Sequence, residues 1–131
     1  MPCVWTVDGE VQPIGVADSD YTFANNANPY VSSTTASYSI LGETLYPGGN
    51  ITNIRVVAGS ASATKYGAVK VYDRTHSLTI AEFTGIIGTE RIIFNLGAIT
   101  NSPGGQSVFE IQGKRIEAGG TLQISALRIS H

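Results

Sequence analysis

Between residues 37 and 131 the chain repeats one pattern. Short runs carry apolar, mostly β-branched residues at every second position, and each run is closed by Gly, Pro, Asn or Ser. A side-chain period of two belongs to a strand with one buried face, and no window of the chain shows the 3.6 period of an amphipathic helix. The residue types agree: there are 14 Ile, 10 Val and 13 Thr against 6 Leu and one Met. β-branched side chains are stiff at χ1 and fit a pleated surface better than a helix. Many short strands punctuated by turn residues point to a sandwich or barrel. At 131 residues the chain has the length of one domain and can bury a core without a disulfide or metal staple.

The runs can be placed individually. Residues 37–41 put Tyr38 and Ile40 on one face, and LYPGGN at 45–50 reads as a turn, with Pro47 fixing φ and Gly48-Gly49 permitting positive φ. Residues 51–57 turn Ile54 and Val56 one way and Arg55 the other. After the small-residue loop at 59–64, residues 66–72 set Val69 and Val71 against Lys70 and Tyr72. DRTHS at 73–77 is a tight polar turn into a strand at 78–83. Residues 91–96 align Ile92, Phe94 and Leu96, and residues 108–112 oppose Phe109 and Ile111 to Glu110 and Gln112. GKR at 113–115 reads as a hairpin turn. In the last run, 122–129, the apolar phase shifts from Leu122 and Ile124 to Leu127 and Ile129, as a bulge near Ser125-Ala126 would produce. These runs predict an all-β fold, an antiparallel, jelly-roll-like β-sandwich over 37–131. Residues 1–36, with Pro2, Pro13 and Pro29 and a polar stretch, read as an extended N-terminal arm or irregular first strands of the same structural domain. GGNITNIRV (48–56) and GGTLQISALRI (119–129) share a glycine pair followed by a strand ending in apolar-Arg-apolar. Similar turn chemistry explains the recurrence without an internal duplication.

Charge is unevenly divided. No Lys or Arg precedes Arg55, and the stretch before it holds Asp8, Glu10, Asp18, Asp20 and Glu43; from Arg55 onward the net charge is +3. An acidic arm and a basic sandwich can pair within one molecule or between neighbours. Asp8, Glu10, Asp18, Asp20, Tyr21, Phe23 and Tyr30 are therefore the candidate partner-binding residues. A whole-chain net charge of −2 argues against a general nucleic-acid partner. No apolar run reaches the roughly 18 residues of a membrane-spanning helix, and MPCVWTVDGEVQ does not read as a secretory signal.

Chemistry-bearing patterns are scarce. The only histidines are His76 and His131, and the only cysteine is Cys3, which excludes an intrachain disulfide and a multi-cysteine metal site. Cys3 reads as a small buried hydrophobe, and His131 as a mobile terminal residue. His76 stands beside Asp73 and Ser77, but one short turn does not aim three side chains at a common point, and Asp73 is better placed to cap the turn. Asp18-Ser19-Asp20 lacks the remaining ligands of a calcium loop. Glu82 and Glu110 could face each other on neighbouring strands, although nothing in their spacing requires it. Phosphate-cradling glycine motifs are absent. The expectation is no catalytic, cofactor-binding or metal site, and no enzyme. Trp5, Tyr21, Phe23, Tyr30, Tyr38, Tyr46, Tyr66 and Tyr72 could form a sugar-stacking platform. The competing expectation puts Phe23, Tyr38 and Phe109 in the core and the tyrosines at interfaces with wet hydroxyls.

From Tyr46 to Ile129, about two thirds of the chain, the succession PGGNITNIRVVAGS, GAVKVYDRTHSLTIAEF and IIFNLGAITNSPGGQSVFEIQGKRIEAGGTLQISALRI resembles small jelly-roll proteins of tailed-phage virions. The resemblance is to capsid decoration (cement) proteins and related tail-associated modules. Such proteins bind the outside of a shell, often as dimers or trimers, brace neighbouring coat subunits and carry no cofactor. The resemblance implies a decoration subunit on the outer capsid surface of the virion, assembled in the host cytoplasm. Its partners would be the major capsid protein and further copies of itself, as a homodimer or homotrimer. The alternative is a carbohydrate-binding jelly-roll module, as at a phage tail-fibre tip or in a lectin.

Overall fold

The structure, a computed structural model, describes residues 19–25 and 27–131. Within them the chain forms nine strands and no helix: β1 (Ser19–Thr22), β2 (Val31–Ser33), β3 (Ser39–Tyr46), β4 (Asn53–Gly59), β5 (Ser62–Asp73), β6 (Leu78–Gly88), β7 (Ile92–Asn95), β8 (Ser107–Arg115) and β9 (Leu122–Ser130). They make two packed sheets. The four-stranded sheet has the order β3-β8-β5-β6, and the five-stranded sheet has the order β1-β9-β4-β7, with β2 also on β9. β1 pairs with the 126–129 half of β9 and β2 with residues 122–124, so two short strands share one edge position.

This order follows from nested antiparallel pairing about one turn. β5 pairs with β6 across residues 74–77; β4 then pairs with β7, β3 with β8, and β2 with β9. Successive pairs of this long ribbon fall alternately into the two sheets, which is the jelly-roll arrangement. The core lies between the sheets. Ile54, Val56, Leu127 and Ile129 face Val69, Val71, Phe109 and Ile111, none of them more than 2% exposed. The expected phase shift in the last strand is present: Val57 pairs with Ala126 but Ala58 with Ile124, leaving Ser125 as the extra residue of a bulge.

Several local expectations are corrected. β3 runs on to Tyr46, past the expected end at Leu41, and the turn is carried by Gly48 and Gly49 at φ 104° and 110°. A register shift between Ile40 and Gly42 resets the phase, so Tyr46 is buried while Ile40 and Leu45 stay exposed. GKR lies inside β8 and is not a hairpin turn; Gly113 pairs with Ser39 and with Val69. Glycine is required there by packing, because a Cβ would stand 2.8 Å from Leu41 Cδ1 and 3.0 Å from Leu122 Cδ1. The turn follows at 116–120, with Gly119 at φ 80°. His131 is held in place: its ring stacks on Tyr46 at 5.5 Å and its Nε2 lies 2.9 Å from the Tyr46 hydroxyl.

Candidate functional site

Among the described residues three places gather polar side chains: the outer face of each sheet and the turn between β5 and β6. On the four-stranded sheet, strand alternation turns Lys70 and Tyr72 of β5 and Glu110, Gln112 and Lys114 of β8 outward, opposite the core-facing Val69, Val71, Phe109 and Ile111. These groups satisfy one another. Tyr38 Oη donates to Glu82 Oε2 at 2.6 Å, while Lys70 and Lys114 Nζ lie 4.5 and 4.7 Å from the Tyr38 ring centroid. Burial raises the Tyr38 pKa, and the Glu82 carboxylate accepting its proton raises it further. Gln112 Nε2 donates to Glu110 Oε1 at 2.8 Å. Register places Glu43 directly opposite Glu110, and Arg74 Nη1 bridges the two carboxylates. Without that guanidinium, like charges would face each other across the strands.

The outer face of the five-stranded sheet is built differently. One row across it reads Asp20, Arg128, Arg55, Asn95 on β1, β9, β4 and β7. Two arginines stand side by side because the two similar apolar-Arg-apolar segments, Ile54-Arg55-Val56 and Leu127-Arg128-Ile129, pair antiparallel about them. Asp20 holds Arg128 in a fork, accepting from Nε at 2.6 Å and from Nη2 at 2.9 Å. The fork keeps the Asp20 carboxyl below its ordinary pKa, and Arg55 adds a smaller pull in the same direction. Among the described residues Arg55 has no ion-pair partner. The next row is Thr22, Ala126, Val57, Ile93. Together the two rows line a shallow depression of about 360 Å³ with an apolar floor and a basic margin.

The turn brings Asp73, His76 and Ser107 together. The expected trio named Ser77, but Ser77 stays in the turn at φ 57° and the serine comes from β8. Asp73 caps the turn as anticipated, its Oδ1 accepting the His76 backbone N–H at 3.1 Å. Its Oδ2 accepts from His76 Nδ1 at 2.7 Å and from Ser107 Oγ at 3.1 Å. Burial pushes the Asp73 pKa up, but the hydrogen bonds from His76 and Ser107 outweigh it and the carboxyl ends below its ordinary value. This is not a nucleophile relay. Ser107 Oγ and Asp73 Oδ2 approach the same ring nitrogen, Nδ1, whereas a relay needs serine and acid on opposite nitrogens. The cluster ties the apex of the ribbon to β8.

Asp20 and Tyr21 of the expected partner-binding set line the depression, and the Tyr30 ring packs against the Arg91 guanidinium at 4.6 Å. Phe23 packs against the core, its ring over Gly42. Asp8, Glu10 and Asp18 lie outside the described residues, as do Cys3 and Trp5. Tyr38 lies on the outer face and not in the core. Tyr46 is fully buried rather than wet; its hydroxyl donates to Gly49 O at 2.9 Å, and burial pushes its pKa up to about 12. Glu82 and Glu110 do not face each other, because β5 separates their strands. Sequence reasoning missed Arg55 and Ile93 as site residues; the shared apolar-Arg-apolar pattern was the available signal for the first. No group of three or more metal-ligating side chains occurs among the described residues. Compared with known proteins, the chain matches no family model and no curated protein.

Proposed function

We propose that this chain is a structural virion protein, a capsid decoration subunit that binds the outer shell and stabilises contacts between coat subunits. The observation that carries the reading is the β7 edge. Among the described residues no strand pairs with its outer side, and Ile92 and Ile93 are 52% and 67% exposed. An uncharged edge strand bearing two exposed isoleucines is a template for another chain and a liability for one that works alone. A shell offers the same contact many times over, so modest contacts suffice when copies also hold one another. The resemblance of the strand sequences to decoration proteins points the same way. A sugar platform has less support, since the Tyr38 ring already carries two ammonium groups and Tyr46 is in the core.

The test is co-sedimentation of the purified chain with undecorated cognate capsids. The chain is expected to pellet with the shells, and Ile92→Lys, which places a charge on the edge, is expected to stay in the supernatant. Wild-type chain that remains in the supernatant would refute the reading, and a glycan array with strong hits would replace it with the carbohydrate one.

A further inference from the structure

We infer that β7 pairs antiparallel with β7 of a second copy of this chain, about a two-fold axis at Ile93, joining two five-stranded sheets edge to edge. The first ground is which backbone groups the edge offers. In an antiparallel pair only alternate residues bond the neighbouring strand, and those between them turn N–H and C=O the other way. Leu96 N–H donates to Ile54 O at 2.9 Å, and register sets Val56 against Phe94 and Ala58 against Ile92. Ile92, Phe94 and Leu96 therefore bond β4, while Ile93 and Asn95 present their N–H and C=O on the side where no described strand pairs. The second ground is that β7 lacks the devices that stop strands from adding to an edge. Among the described edges, β3 has Glu43 and a register break at Ile40/Gly42, and β6 has Glu82 and shifts against β5. β1 has Asp20, and β2 is three residues long behind Pro29. β7 is uncharged and in unbroken register with β4.

The third ground names the occupant: the strand is complementary to itself. A two-fold axis makes every contact twice, residue i on j and j on i. Centred on Ile93, antiparallel pairing sets Ile93 against Ile93, Ile92 against Phe94 and Arg91 against Asn95. It covers Ile92 and Ile93, 52% and 67% exposed, opposes no like charges, and uses the outward backbone groups of both Ile93 and Asn95. An axis at Ile92 sets Ile93 against Arg91, and one at Phe94 sets it against Asn95, so the Ile93 axis is the one that matches apolar with apolar. On the inner side the joint closes over the Phe94 and Phe83 rings, 6.0 Å apart and only partly buried at this end of the core. The inference deepens the decoration reading and rests on it for a purpose, holding copies together on a shell. The pairing itself is measured without a shell, so the two can fail separately.

The test is analytical ultracentrifugation of the full chain over a range of concentrations, with no capsid present. A monomer–dimer equilibrium is expected. Ile93→Lys and Ile93→Glu each place like charges directly opposite one another across the axis, and each should weaken the dimer at least about tenfold. An equimolar mixture of the two variants should restore it as a heterodimer, because the opposed charges then attract. Ile93 is mostly exposed, so both variants should keep the parent fold, which thermal unfolding checks. A parent chain that is monomeric at every concentration, or that forms a trimer, would overturn the inference. So would variants that dimerise as tightly as the parent, or a mixture that shows no rescue.

Discussion

Arg74 and Arg55 lie on outer surfaces of opposite sheets, and their surroundings differ. Arg74 stands between Glu43 and Glu110, which register sets directly opposite each other. Arg55 stands beside Arg128, whose fork is taken by Asp20. Around Arg74 the polar groups of the four-stranded face bond one another, down to a hydroxyl, two ammoniums and a carboxylate gathered on Tyr38. Around Arg55 the five-stranded face has a basic margin, an apolar floor and an edge strand, β7, whose outer side no strand among the described residues pairs with. The lesson is that charge on a sandwich surface has two uses. Where carboxylates and cations alternate across strands it holds the sheet together; where like charges are set side by side it leaves attraction available for something else.

The largest effect should come from the self-contained side. Asp73→Ala removes a buried carboxylate that accepts from His76 N–H, His76 Nδ1 and Ser107 Oγ. Leaving those donors unmatched costs about 2–3 kcal/mol. The expected loss in Tm is roughly 10 °C for a domain of this size, read by thermal unfolding. An unchanged Tm would mean the apex cluster is decorative.

A smaller, local effect is expected in acid. The Asp20 pKa is lowered in the folded chain, so the stabilisation it lends is complete above the ordinary aspartate value of about 3.9. It is lost as pH falls through the lower, folded value. Amide exchange at Tyr21 should therefore quicken in that acid range, and Asp20→Asn should produce the same quickening at neutral pH. Unchanged protection of β1 would show that its pairing with β9 does not depend on the fork. Smaller still is the effect of Ile92→Lys on folding. With Ile92 half exposed, stability should stay within about 0.5 kcal/mol as measured by urea unfolding, even if binding to a shell is lost.

Much of the fold was legible in the residues. The alternation of Val69 and Val71 against Lys70 and Tyr72 assigned β5 its inner and outer faces, and the broken phase between Ile124 and Leu127 put a bulge near Ser125-Ala126, which strand pairing narrows to Ser125. What was not legible depended on contacts between strands distant in sequence. Gly113 looks like a turn residue until Leu41 and Leu122 are seen against it. Tyr46 looks like the start of a turn until the shift at Ile40/Gly42 is known. Ser107 cannot be linked to Asp73 and His76 before β8 is placed beside β5. The arginine row was half visible, in the likeness of residues 48–56 to 119–129, but only strand pairing sets Arg55 opposite Arg128.

The most direct test of the difference between the two faces is urea unfolding of Arg74→Gln and Arg55→Gln, measured side by side. Arg74→Gln should lose about 1–2 kcal/mol, because it leaves a nearly buried Glu110 opposite Glu43. Arg55→Gln should stay within about 0.5 kcal/mol of the parent or gain slightly, since it relieves a like-charge pair. An Arg55→Gln loss as large as that of Arg74→Gln would contradict the account, by showing that the five-stranded face, too, spends its charges on holding itself together.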